Sequence, residues 1–320
     1  MRRFAALLVL PLLAVVVLAG CGSGSATSTG TGSAGVTVSG TFGQTPVIKI
    51  PAAKAGHALA VKTLIQGTGP VLHSTDTFVS NYAIYIWSGT SHRLAQSTFG
   101  STTHSGSSPQ LLGGQLLPGL EKALIGQKMG SRILAVIPPK EGFGASGNPQ
   151  VGIKGTDTLV FVVDLIKNFA GNASATGTPV SSGGKGLPTV TAVTGAAPTI
   201  KMPASPPPAK LVTKTLVQGT GPVVRKGQEV VVQYVGAIWA SGKVFDASWN
   251  RSAPFGFVID STPSQVIPGW DQGLTGQKVG SRVMVVIPPA AGYGTAGNPQ
   301  AGIKGTDTLV FVVDILGAFG

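Results

Sequence analysis

The sequence predicts an α+β protein in which one domain occurs twice. Three observations carry this. Residues 142–166 (GFGASGNPQVGIKGTDTLVFVVDLI) recur at 292–316 (GYGTAGNPQAGIKGTDTLVFVVDIL), with thirteen consecutive identities from Gly152–Asp164 to Gly302–Asp314. Each copy is rich in β-branched runs bounded by Gly and Pro, the pattern of strands. Each also holds one short stretch at helical spacing, which argues for a sheet packed on a single helix. A second echo, KTLIQGTGPV at 62–71 and KTLVQGTGPV at 214–223, lies at a slightly different offset. The first copy therefore carries two extra residues, which belong in loops if the scaffold is shared.

The chain opens with Arg2 and Arg3, an apolar run from Phe4 to Gly20 and the small-residue close Leu18-Ala19-Gly20-Cys21. A basic head, a short apolar stretch and small residues before a cut make a secretory signal over 1–21. The run is short for a membrane span of roughly 20 residues, and Pro11 interrupts it. Cys21 is the only cysteine, so no disulfide can form within one chain. Its setting resembles the lipobox of bacterial lipoproteins. That resemblance implies cleavage before Cys21, lipidation of Cys21, and a protein anchored on the outer face of the cytoplasmic membrane.

Residues 22–46 carry no charge and few large apolar side chains, so they are expected to form a flexible tether. Random-coil scaling gives it a reach of roughly 25 Å. Residues 170–199 have similar composition and are expected to be a flexible linker that lets the two domains tumble separately. The ordered blocks are then 47–169 and 200–320, each long enough to bury a core.

Within the second block, Glu229–Val235, Arg282–Ile287 and Thr308–Leu316 read as strands. The helix of the first copy is expected at Leu117–Leu124, with a proline in its first turn and Gly126 as its stop. Its counterpart runs from Ile267 to Leu274 and stops at Gly276. Residues 87–109 are rich in Ser, Thr and Gly, which suggests a mobile loop.

Several function classes are excluded. The net charge of +12 comes from Lys and Arg scattered singly, with no basic stripe, so nucleic acid is not an expected partner. The G-x-G-x-x-G matches at 30–35, 142–147 and 292–297 lack the strand–turn–helix context that holds a pyrophosphate. His57, His73, His92 and His104 show no ligand spacing, so no metal is expected. The second copy contains no histidine and no G-x-S-x-G elbow, so it cannot host a Ser-His triad.

What remains in the second copy is a set of aromatic and apolar residues around one acid. The blocks VQYVG, KVFDAS, PFGFVI, QVIPGWDQGL, GQKVGSR, GYG and TLVFVVDIL occur in the order of the FKBP-type peptidyl-prolyl isomerases. The sequence resembles that family over nearly all of 210–319 and more weakly over 60–169. The resemblance implies two domains, each a bent antiparallel sheet wrapped around a short helix. It implies prolyl isomerase activity without a cofactor, acting on proline-containing segments and inhibited by macrolides of the rapamycin type. Carried over by position, Trp270 would floor the pocket under the prolyl ring, and Tyr234, Phe245, Phe255, Val266, Ile267 and Phe311 would wall it. Tyr293 would offer its hydroxyl to a substrate carbonyl, Ile303 would close the loop side, and Asp246 would be a largely buried carboxylate. Asn298 departs from the family's common histidine.

In the first copy Tyr82 matches Tyr234, but Ala95-Gln96 stands for Phe245-Asp246, Leu120 for Trp270 and Phe143 for Tyr293. Leu116, Leu117, Ile153 and Phe161 would keep a residual pocket apolar. The expectation is an exported-protein folding isomerase whose catalysis lies mainly in the second domain. A non-catalytic peptide-binding or holdase-type chaperone is the alternative, and an envelope structural protein a third.

Overall fold

The computed structural model describes residues 27–31, 33–100, 110–111 and 116–320. The signal segment, Cys21 and the start of the tether lie outside the described residues.

In the first half the strands are β1 (Thr27–Thr31), β2 (Thr37–Thr41), β3 (Val47–Lys49), β4 (Ala60–Ile65), β5 (Thr77–Ser88), β6 (Ser91–Ser97) and β7 (Gln110–Leu111). The helix α1 (Pro118–Leu124) precedes β8 (Arg132–Ile137) and β9 (Thr158–Phe169). The main sheet has the order β4-β8-β9-β5-β6, antiparallel throughout, with β7 also paired to β5. The second half repeats the plan. Its strands are β10 (Thr178–Pro179), β11 (Thr189–Thr191), β12 (Thr199–Lys201), β13 (Val212–Gln218), β14 (Glu229–Ile238), β15 (Val244–Ala247) and β16 (Phe255–Val258). They are followed by α2 (Pro268–Leu274), β17 (Arg282–Ile287) and β18 (Leu309–Phe319). The sheet order is β10-β13-β17-β18-β14-β15, with β16 paired to β14.

Both helices begin on proline and end before a glycine of positive φ, Gly126 and Gly276. At seven residues each they are too short to persist alone, and burial holds them. In α2 the buried face is Gly269, Trp270, Gly273 and Leu274, packed with Val283, Val285 and Ile287 on the inner face of the sheet. The same inner-face core recurs in the first domain.

The outer face of each sheet is also apolar, and the residues expected to be flexible cover it. Strands β2 and β3 form a hairpin, with Val38 opposite Ile48. Val36, Val38 and Ile50 pack on Trp87, Leu134, Val136, Val160 and Val162. Strands β11 and β12 make the same hairpin, with Val190 opposite Ile200, against Trp239, Met284, Val286, Val310 and Val312. Each hairpin exit is pinned by an indole: Trp87 Nε1 donates to Ala53 O (2.8 Å) and Trp239 Nε1 to Ser205 O (3.2 Å). A buried ion pair adds a second tie. Arg132 bonds Asp164 through two nitrogens at 2.6 and 2.8 Å, and Asp164 accepts Gly43 N–H at 2.6 Å. In the second domain the Arg282–Asp314 pair accepts Ala175 N–H at 2.9 Å.

The tether over 22–46 and the linker over 170–199 are therefore corrected. From Ala34 onward the former is part of the first domain's fold, and the latter carries β10 and most of the second hairpin. Their small residues are sparse in apolar side chains, but a few valines and isoleucines at alternate positions suffice when an apolar sheet face lies beneath. The loop expected at 87–109 is likewise partly a strand, β6, and residues 101–109 lie outside the described residues.

The two domains pack against each other. On β5 and β14 the side chains facing away from the helix, Thr77 and Val79 in one and Glu229, Val231 and Gln233 in the other, are all buried. Val79, Phe169 and Val231 form one cluster with Leu316 and Phe319, spanning both domains. Phe169 meets Phe319 edge-on at 6.2 Å, and Gln233 Nε2 donates to Gly171 O at 2.7 Å. The docked faces are opposite those that carry the helices.

Glu229 is 1 % exposed, its two carboxylate oxygens have no hydrogen-bond partner, and burial pushes its pKa up to about 7. The folded acid stays neutral up to that value, whereas the unfolded one ionises near 4.5. The unfolded chain thus binds fewer protons between these limits, and stability falls as pH rises through them. Glu229→Gln should flatten that slope and raise stability above pH 7 by roughly 1–3 kcal/mol. Urea midpoints at pH 5 and pH 8 measure this, and an unchanged difference between them would contradict it.

Candidate active site

Between α2 and the sheet of the second domain lies a cavity of about 450 Å³. Tyr234 comes from β14, Phe245 and Asp246 from β15, Phe255 from β16 and Phe311 from β18. Val266 and Ile267 lead into α2, whose third residue Trp270 forms the floor, and Tyr293 stands on the far rim. Trp270 meets Tyr234, Phe311 and Phe257 at ring-centroid distances of 5.1, 5.2 and 5.4 Å, all steeply inclined. Such edge-to-face packing fixes each ring and leaves one clean aromatic surface toward the opening. Phe255 and Tyr293 are the more exposed rings, each 37 % accessible.

Gly236 is what admits Phe245. A methyl group at Gly236 would stand 2.7 Å from atoms of both Phe245 and Phe311. The first domain has Ile84 at that position and Ala95 in place of the phenylalanine, a volume exchange across the two strands.

The polar element of the cavity is a closed triad. Tyr234 donates its hydroxyl to Asp246 in a short hydrogen bond. Arg251 Nη1 donates to Asp246 Oδ1 at 2.6 Å and Nη2 to the Tyr234 hydroxyl oxygen at 2.9 Å, with the guanidinium over the tyrosine ring. Burial alone would raise the Asp246 carboxyl, but the bonds from Arg251 and Tyr234 outweigh it and hold the pKa below the ordinary value. Burial, reinforced by the Asp246 carboxylate, pushes Tyr234 up to about 12. Asp246 is therefore charged, and its side chain is 39 % exposed. The expectation of a largely buried carboxylate is corrected on this point. Arg251 shields it from above, and the sequence reading missed Arg251. The signal was available, because an acid held charged beside an apolar pocket needs a cation, and Arg251 is five residues downstream.

Nine of the ten second-domain residues singled out from sequence line this cavity. Ile303 does not; it is buried in the adjoining core and pairs with Asn298 through two backbone bonds of 2.8 and 2.9 Å. Asn298 shapes that loop, its side-chain oxygen accepting Ala301 N–H at 3.3 Å. Ser264, Gln265 and Pro268 also line the opening and were not anticipated. Gln265 holds Val258 N–H, and Asp271 braces the rim by accepting from Asp260 N–H and Ser264 Oγ.

In the first domain Tyr82, Leu116, Leu117, Leu120, Phe143 and Phe161 line a smaller cavity of about 210 Å³, while Ile153 is buried beside it. The strand register sets Gln96 opposite Ile84 as Asp246 is set opposite Gly236. Gln96 Nε2 donates to the Tyr82 hydroxyl at 2.9 Å, a neutral bond where the second domain has an ion pair.

A family model described as FKBP-type peptidyl-prolyl cis-trans isomerase matches residues 75–166 and again 221–316. The chain belongs to that family, with its domain present in tandem. It is 44 % identical over 119 residues to an FK506-binding protein of Streptomyces anulatus, covering 94 % of that protein and 37 % of this chain. It is 42 % identical over 106 residues to the FKBP-type isomerase FkpA of Escherichia coli, covering 37 % of that protein and 33 % of this chain. Among solved structures, AtFKBP13 aligns at 35 % identity with a TM-score of 0.32, covering 94 % of its chain and 35 % of this one.

The chemistry of an FKBP suits such a cavity. Amide resonance sets the barrier to X–Pro rotation, about 18–20 kcal/mol. The twisted amide has lost that resonance and is less polar, so an apolar, water-poor pocket favours it over the planar form. Each ~1.4 kcal/mol of that preference gives a tenfold rate gain. Asp246, tied up by Tyr234 and Arg251, shapes and polarises the wall without acting as a free base.

Removing the cation tests this balance. In Arg251→Met the Asp246 carboxyl should titrate higher than in the parent chain, followed by carbon NMR of the carboxyl. An Asp246 titration unmoved by the change would show that Arg251 does not set its charge.

Proposed function

We propose that this FKBP assists folding of exported proteins outside the cytoplasm, held to the membrane through lipidated Cys21, with catalysis in the second domain. The observation that carries the catalytic assignment is the contrast between two pockets on one scaffold. One combines an indole floor, three aromatic walls and a charged Tyr234–Asp246–Arg251 triad; the other has Leu120 and a neutral Tyr82–Gln96 pair. The export assignment rests on the basic-apolar head and the Leu-Ala-Gly-Cys sequence at 18–21. Clients are proline-containing segments of chains not yet folded, and the docking of the domains leaves both pockets facing away from the interface.

In a cis/trans assay on a proline tetrapeptide, Tyr293→Phe should slow turnover by up to about tenfold, as loss of one hydrogen bond worth ~0.5–1.5 kcal/mol predicts. Phe245→Ala with Asp246→Gln, which installs the first domain's residues, should cost more, because it breaks both the wall and the network. Leu120→Ala should leave the rate within twofold or so, as expected for a change outside the working pocket. A rate that falls with Leu120 and survives the double change would place catalysis in the first domain.

Attachment has its own test. Cys21→Ser should move the protein from the membrane to the soluble fraction without changing its unfolding midpoint. Unaltered membrane partitioning in that variant would refute the lipid anchor.

A further inference from the structure

The first domain's cavity runs deeper than the second and carries one polar group there that the second lacks. Trp270 closes the second cavity, whereas Leu120 is shorter and leaves the first lined as far in as Phe78, Leu124 and Val163. Along β5 the alternate residues Phe78, Ser80, Tyr82 and Ile84 all face this space. Ser80 is 3 % exposed, lines the cavity and makes no hydrogen bond through its hydroxyl to any described residue. The second domain has Val232 at the same register, fully buried in the core.

A hydroxyl on the wall of an apolar cavity can bond a ligand's own polar group, and an apolar ligand that covers it leaves it unpaired. A cavity of about 150 Å³ is enough for a benzene ring. The first domain offers about 210 Å³ with apolar walls, room for such a ring and a polar tip beyond it. A prolyl ring is smaller and has no polar atom to reach Ser80.

We propose that the first domain's cavity is a binding site for a tyrosine side chain of an extended client, the ring held by Ile84, Leu120, Leu124 and Phe161 and the phenol hydroxyl bonded to Ser80. It rests on the reading that catalysis lies in the second domain. A site built around a hydroxyl rejects the analogue that lacks one, because its own polar group is then left unpaired. The first domain thus holds a segment by an aromatic residue while the second acts on prolines elsewhere in the same client.

The test uses the full chain with methyl-labelled Ile, Leu and Val, titrated with N-acetyl-tyrosinamide, N-acetyl-phenylalaninamide and N-acetyl-prolinamide. The tyrosine compound should shift the Ile84, Leu120, Leu124 and Val163 methyls and bind at least tenfold more tightly than the phenylalanine compound. Ser80→Val, which copies the second domain's residue, should erase that difference. Leu120→Trp should abolish binding of both compounds at this site. Equal affinities for tyrosine and phenylalanine, preference for the proline compound, or a tyrosine preference surviving in Ser80→Val would each overturn the proposal. The isomerase rate of Ser80→Val, expected to match the parent, reports separately on the catalytic assignment.

Discussion

Strand β14 is buried along its whole length, and that constraint organises the rest of the molecule. Because successive side chains point to opposite faces, a strand buried on both sides must serve two interfaces at once. Val230, Val232 and Tyr234 face α2 and its core, Tyr234 also lining the second domain's cavity, while Glu229, Val231 and Gln233 face the other way, toward the other domain. Strand β5 has the same two duties. Neither sheet can therefore be left half-covered, and the hairpin in front of each domain completes what the domain–domain contact leaves open. The buried Arg–Asp pairs tie those covering segments to the sheet by hydrogen bonds as well as by apolar contact.

The two copies show how one scaffold tolerates divergence at its pocket. Substitutions come as matched volumes: Gly236 with Phe245 against Ile84 with Ala95, and Gly273 with Val285 against Ala123 with Ala135. Both arrangements fill the space between strand and helix, so the fold persists while the pocket surface changes. The polar groups follow the same logic. Where Asp246 is charged, Arg251 and Tyr234 satisfy it; where Gln96 is neutral, one bond to Tyr82 is enough.

Much of this was legible in the sequence. The repeat, the short helices with their proline starts and glycine stops, and the long strands followed from local pattern, because proline and glycine restrict the backbone whatever surrounds them. Most of the pocket was readable from the resemblance. The covering hairpins were not, since composition alone makes residues 37–46 and 189–199 look like a tether and a linker. The readable signal was an echo at constant spacing: Thr37-Val38, Gly43, Pro46, Ile48-Lys49 and Pro51-Ala52 return as Thr189-Val190, Gly195, Pro198, Ile200-Lys201 and Pro203-Ala204. The docked faces escaped for another reason. Each matters through a partner distant in sequence, and no local pattern announces such a pairing.

On the function proposed, one scaffold carries a complete prolyl pocket and a second pocket without the indole floor and charged wall. Calorimetric titration of the full chain with a macrolide of the rapamycin type tests it most directly. One tight site per chain is expected, abolished by Trp270→Ala and unaffected by Leu120→Ala. Two sites of comparable affinity, or a single site lost through Leu120→Ala, would contradict it.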